Sequence, residues 1–134
     1  MARAHITIVL PHDLERVWRI VTDLAQYDWR SDIARIDVLE AGRRFVEVTP
    51  EGIITTFAIT AFDPMRRYAF TLENDNMCGT WQGLFTAVQG GTQLDFTEEV
   101  TPKRPLLRPV AGLYLRRQQK RYAADLARAL ACEQ

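Results

Sequence analysis

The chain has 134 residues, 47% of them apolar and 25% charged, with a formal net charge of zero. That length supports one well-buried core, so a single domain over residues 1–134 is expected, with the composition of a globular and not a disordered chain. No apolar run approaches the roughly 20 residues that a membrane-spanning helix requires, and overall neutrality argues against a dedicated nucleic-acid binder.

The opening Met1-Ala2-Arg3-Ala4-His5 leads straight into an alternating segment instead of a signal-peptide apolar stretch, so a cytoplasmic location is expected. Cys78, in an expected loop, and Cys132 have no metal-like spacing and read as free thiols of a reducing compartment. Charge is spread unevenly, with eight Lys/Arg against two acids from residue 103 onward. The simplest reading is a basic helix docked on an acidic body; contact with an anionic membrane or a partner is the alternative.

Along the chain, Ile6, Ile8 and Leu10 alternate with His5, Thr7 and Val9, which predicts a strand ended by Pro11. Leu14, Val17, Trp18, Val21 and Leu24 then share one helical face, with Asp13 and Glu15 where the helix dipole favours anions. Ser31 fits the N-cap of a brief second helix running to Ile36. From there the period is two, with strands predicted at 36–41, 44–49, 53–62, 67–73, 80–89 and 92–101.

The joints carry turn residues: Gly42, Pro50-Glu51-Gly52, Asp63-Pro64-Met65-Arg66, Asn74-Asp75-Asn76 and Gly90-Gly91. Asp63-Pro64 suits the first two positions of a type I turn. Links this short join only antiparallel neighbours, so the six strands form a meander. After Pro102-Lys103-Arg104-Pro105 the pattern is helical to the end, weakened at Pro109 and Gly112. The block Arg116-Arg117-Gln118-Gln119-Lys120-Arg121 interrupts its apolar stripe.

A meander has one face to bury, and only the last helix is long enough to cover it. A curled sheet is not filled by a helix that is polar at mid-length, so a cavity lined with aromatic rings is expected between them. Strand phase turns Phe57, Tyr68, Phe70, Trp81, Phe85 and Phe96 inward, with Gly83 leaving room between the rings of Trp81 and Phe85. Tyr114, Gln118 and Tyr122 are the helix side chains expected to meet them. Such rows are core by default, and core filling and ligand lining look alike in sequence.

Glu98 is the one carboxylate of its strand in phase with the buried face. In a dry cavity its pKa would rise, and it could serve as an acid or anchor a ligand hydroxyl; paired with an arginine of the last helix it would be structural. His5 falls on the outward phase and His12 at a helix start, and no nucleophile, metal or nucleotide motif occurs, so no metal or cofactor is expected.

The opening strand, Val17-Trp18, Thr22-Asp23-Leu24, Tyr27-Asp28-Trp29, residues 33–39, Gly91-Thr92 before Leu94-Asp95-Phe96, and the terminal helix follow in a telling order. In order and spacing the whole chain resembles the START/Bet v 1-like (SRPBCC) superfamily, especially bacterial polyketide cyclase/dehydrase and lipid-transport domains. The resemblance implies an α+β helix-grip fold, a seven-stranded curved antiparallel sheet around a long C-terminal helix in β-α-α-β6-α order. It also implies a ligand cavity, while its motifs include no catalytic signature. The expected function is binding of a small hydrophobic or amphipathic molecule, lipid or polyketide-like, as carrier or sensor. The rivals are a cyclase- or dehydratase-like enzyme using Glu98 and a tyrosine hydroxyl as acid–base groups, and an interaction protein docking through its basic helix. No sequence feature defines the oligomeric state.

Overall fold

The computed structural model describes residues 1–132. Seven strands form its sheet: β1 (Ala2–Leu10), β2 (Arg35–Glu40), β3 (Arg44–Val48), β4 (Ile54–Asp63), β5 (Arg67–Glu73), β6 (Met77–Val88) and β7 (Gly91–Pro102). All pairings are antiparallel, in the spatial order β1-β7-β6-β5-β4-β3-β2. Strands β2 to β7 are the expected meander, and β1 returns to pair with β7 from Ala2↔Val100 to Leu10↔Thr92. Register shifts between Val38 and Glu40 and between Ile59 and Ala61 mark bulges, which bend a strand and increase its twist.

Two helices close the concave side. Helix α1 (Leu14–Thr22) buries Val17, Trp18, Ile20 and Val21. Helix α2 (Ala111–Cys132) follows a 3-10 turn at Pro105–Leu107 and buries Ala111, Leu115, Gln119, Asp125, Leu126 and Leu130. These positions recur about every four residues, so one stripe faces the sheet. Helix α2 lies mainly along β1 and touches β7 less, while α1 covers part of β6 and β7, which leaves the inner face of β3 to β5 without a helix directly on it.

The basic residues at the middle of α2 point outward: Arg116, Arg117, Lys120 and Arg121 are exposed. Gln119 turns inward instead, its amide donating to the carbonyl oxygen of Ala4 at 2.9 Å, so the stripe is interrupted without leaving a buried donor unpaired. No helix among the described residues is long and apolar enough to cross a membrane.

Three local expectations are corrected. The brief second helix from Ser31 to Ile36 does not form: residues 30–34 are irregular and β2 begins at Arg35. Ser31 spends its capping groups on tertiary partners, its amide and hydroxyl both donating to the Asp125 carboxylate at 2.8 Å. Arg121 donates in turn to the Ser31 hydroxyl and carbonyl oxygens, fastening this segment to α2. The element order is therefore β-α-β6-α.

The turn at Asp63-Pro64 follows the type II pattern, because Met65 at its third position has φ 66° and Arg66 N–H reaches the Asp63 carbonyl at 3.0 Å. Proline presets φ equally well for the second position of either type. Cys78 lies on β6 and not in a loop; both cysteines are exposed free thiols.

Candidate ligand cavity

Strand alternation builds the floor of a cavity. On β6, Trp81, Gly83 and Phe85 face inward and are buried, as their phase predicts. A Cβ at Gly83 would lie 2.8 Å from the Trp81 ring, so only glycine lets that indole lie flat along the strand. The register sets Phe70 opposite Trp81, and their rings stack 4.9 Å apart with 5° between planes. Phe45 and Phe57 repeat this arrangement across β3 and β4, 4.7 Å apart and 6° from parallel. Phe96 packs on Trp81 from β7, and Tyr122 of α2 meets Phe96 edge-on at 5.0 Å.

Between Phe57, Phe70, Trp81 and Phe96 of the sheet, Tyr122 of α2, Val21 of α1 and Leu24 just beyond it lies a cavity of about 160 Å³. Nine of the ten residues expected to line it do so: Phe57, Tyr68, Phe70 and Trp81, then Phe96 and Glu98, with Tyr114, Gln118 and Tyr122 from the helix. Phe85 does not. It has the inward phase, but α1 covers that stretch of β6, and Phe85 packs edge-on against Trp18 at 4.8 Å.

One corner of the cavity is polar, and most of it is not in the expected set. Arg30, in the connection from α1 to β2, donates from Nε and Nη2 to both oxygens of Asp32 at 3.2 and 3.0 Å. Its Nη1 donates to Glu47 of β3 at 3.0 Å, and its guanidinium lies 5.1 Å from the Tyr122 ring centre. The side chains of this trio are only 13–15% exposed. Burial opposes the Arg30 charge, but Glu47 and Asp32 outweigh it and hold the guanidinium above its ordinary pKa. Glu47 had a signal in the sequence, since it shares the phase of the buried Phe45; Arg30 and Asp32 lie in an irregular segment without one.

Glu98 projects into the cavity near this trio. Among the described residues its carboxylate has no hydrogen-bond or ion-pair partner, and no arginine of α2 reaches it. Desolvation, with the negative charge of Glu47 next in weight, pushes its pKa up to about 7, against the pull of Arg30. The Tyr68 hydroxyl is buried without a partner, and burial pushes its pKa up; burial does the same to Tyr122. His5 and His12 are not among the lining residues: His5 bonds Thr97 Oγ1 and Thr7 Oγ1 on β1 and β7.

A curved antiparallel sheet gripping a terminal helix, with an aromatic cavity between, defines a START-like helix-grip domain. The chain belongs to the family described as polyketide cyclase / dehydrase and lipid transport, whose model matches residues 1–133. Among solved structures it is similar to a START superfamily protein from Mycobacterium smegmatis, with a TM-score of 0.86 at 14% identity over 95% of each chain. It is also similar to protein MLL2253 from Mesorhizobium loti, with a TM-score of 0.82 at 17% identity over 98% of each chain. A third similar structure, TTHA0849 from Thermus thermophilus, has a TM-score of 0.79 at 20% identity, over 98% of this chain and 99% of that one. No curated protein matches the chain in sequence. At these identities the likeness carries the fold, and function must be argued from the cavity.

Proposed function

We propose that this protein is a cytoplasmic carrier or sensor, residues 1–134 acting as one unit that holds a small amphipathic molecule between the sheet and α2. The observation that carries the reading is the pairing of an aromatic cavity with two polar groups lacking protein partners, the Glu98 carboxyl and the Tyr68 hydroxyl. The Tyr68 hydroxyl is buried and the Glu98 carboxyl half-buried; buried polar groups are nearly always satisfied, and a ligand in the cavity both residues line is a natural partner for them. The volume of about 160 Å³ limits the occupant. A cavity of about 150 Å³ holds a benzene-sized molecule, whereas drug-sized ligands need about 300 Å³ or more. A single ring with one polar substituent fits; a lipid chain or fused-ring polyketide requires α2 to move. Native mass spectrometry of protein purified without organic solvent tests this reading, with a co-purified small molecule released by Trp81→Ala as the expected result. Retention of the same molecule by that variant would place it elsewhere.

The second reading is an acid–base enzyme of the cyclase or dehydratase kind. A carboxyl with a pKa of about 7 is poised to exchange protons at neutral pH, and Tyr68 offers a hydroxyl in the same hollow. Turnover lost in Glu98→Gln with ligand affinity retained would support it; ligand binding without turnover leaves the carrier.

A further inference from the structure

The charge pattern of the cavity narrows the occupant further, and this step rests on the ligand-binding reading above. Three carboxylates, Asp32, Glu47 and Glu98, share the cavity with a single guanidinium, that of Arg30. Arg30 gives two of its donor nitrogens to Asp32 and the third to Glu47, so Glu98 is left without a counter-ion. Every other titratable group facing Glu98 is a phenol: Tyr68 from β5 and Tyr114 and Tyr122 from α2. Burial pushes all three phenols up, so none supplies a charge at neutral pH. The lining contains no lysine, no histidine and no arginine besides Arg30.

An anionic ligand would therefore enter against an acidic excess, and a neutral one would leave that excess uncompensated. A cation would relieve it. The walls offer aromatic rings, whose faces attract a cation: Phe70, Trp81, Phe96 and Tyr122 line the hollow. The protein already uses one ring this way, with the Arg30 guanidinium against Tyr122. Independently of the carboxylates, Tyr68 is only 3% exposed, its hydroxyl is buried without a partner, and the residue lines the same cavity. An ammonium group has three N–H donors, and the Tyr68 oxygen and the Glu98 carboxylate are both acceptors.

We propose that the cavity selects a small organic monocation, a protonated amine on a single-ring apolar body, with Glu98 as counter-ion, Tyr68 as second acceptor and the aromatic rings as its cage. When such a ligand binds below the pKa of Glu98, the carboxyl ionises to meet it and a proton is released.

Three ring-sized probes that differ in charge test the inference: benzylammonium, benzyl alcohol and benzoate, titrated calorimetrically into the wild type and Glu98→Gln at about pH 6. The variant removes a half-buried unpaired carboxylate, and benzyl alcohol reports in both proteins whether the cavity is intact. Wild type should bind benzylammonium about tenfold or more tighter than benzyl alcohol and reject benzoate, and the preference should collapse in Glu98→Gln. Repeating the titration in buffers of different ionisation heat should show protons released with benzylammonium alone. Benzyl alcohol or benzoate binding wild type as tightly as benzylammonium overturns the cation assignment and leaves the cavity reading standing. Binding of none of the three overturns both.

Discussion

Replacing Glu98 by glutamine separates the two environments open to this residue, because they give stability changes of opposite sign. In the structure the carboxyl has no cationic partner, and its pKa lies at about 7 against an ordinary value of 4.5. The unfolded chain therefore loses this proton first as pH rises. Below about pH 4.5 the group is protonated in both states and contributes nothing. Between the two pKa values it increasingly penalises folding, and above about pH 7 the penalty is complete. At about 1.4 kcal/mol per pH unit the gap is worth about 3 kcal/mol, or about 2 kcal/mol allowing for water at the cavity mouth. Glu98→Gln keeps the shape and removes the penalty. Its melting temperature should match wild type near pH 4 and exceed it near pH 8 by on the order of 10 °C. Scanning calorimetry of both proteins across that range is the assay. A variant less stable than wild type near pH 8, with the deficit vanishing in acid, would mean that Glu98 is ion-paired, and would refute the account of an unpartnered carboxyl.

Three further outcomes follow from named contacts. Arg30→Met leaves Asp32 and Glu47 buried without their cation, so urea unfolding should show a loss of about 3–5 kcal/mol. Because Arg30 also restrains the pKa of Glu98, the stabilisation from Glu98→Gln should be larger in that background. Gly83→Ala places a methyl 2.8 Å from the Trp81 ring, which must tilt; a cost of about 1–3 kcal/mol and an altered tryptophan spectrum are expected. Asp125→Ala strands the Ser31 amide and hydroxyl and removes the carboxylate partner of Arg128, so residues 30–34 should exchange amide hydrogens faster, with about 1–3 kcal/mol lost. Burial raises the Asp125 carboxyl, but the Ser31 and Arg128 hydrogen bonds outweigh it and hold its pKa below the ordinary value. The wild-type advantage should therefore be present at neutral pH and fade in strong acid.

The sheet was readable because its signals are local. Period-two alternation and turn residues at Gly42, Gly52, Asp63-Pro64 and Gly90 locate every strand to within a few residues. Phase also turned Trp81, Phe96 and Glu98 to the correct face. What failed depends on distant partners. Ser31 carries a capping signal, but Asp125, far along the chain, takes its donors. Phe85 has the right phase, yet phase names a face and not the element covering it, and α1 claims that stretch. The Arg30 trio joins an irregular connection to β3, a meeting that no periodicity encodes. Glu47 alone could have been found, by the same in-phase argument that singled out Glu98.

The central claim is that the hollow between sheet and α2 accepts a ligand, and two-dimensional NMR tests it most directly. Benzyl alcohol titrated into labelled protein should shift the Trp81 indole, the Met77 methyl and the Tyr122 ring, all of which line the cavity. Saturable shifts there, with Thr80 and Leu84 on the opposite face of β6 unmoved, are the predicted result. Shifts confined to that outer face, or to the exposed basic side of α2, would contradict it.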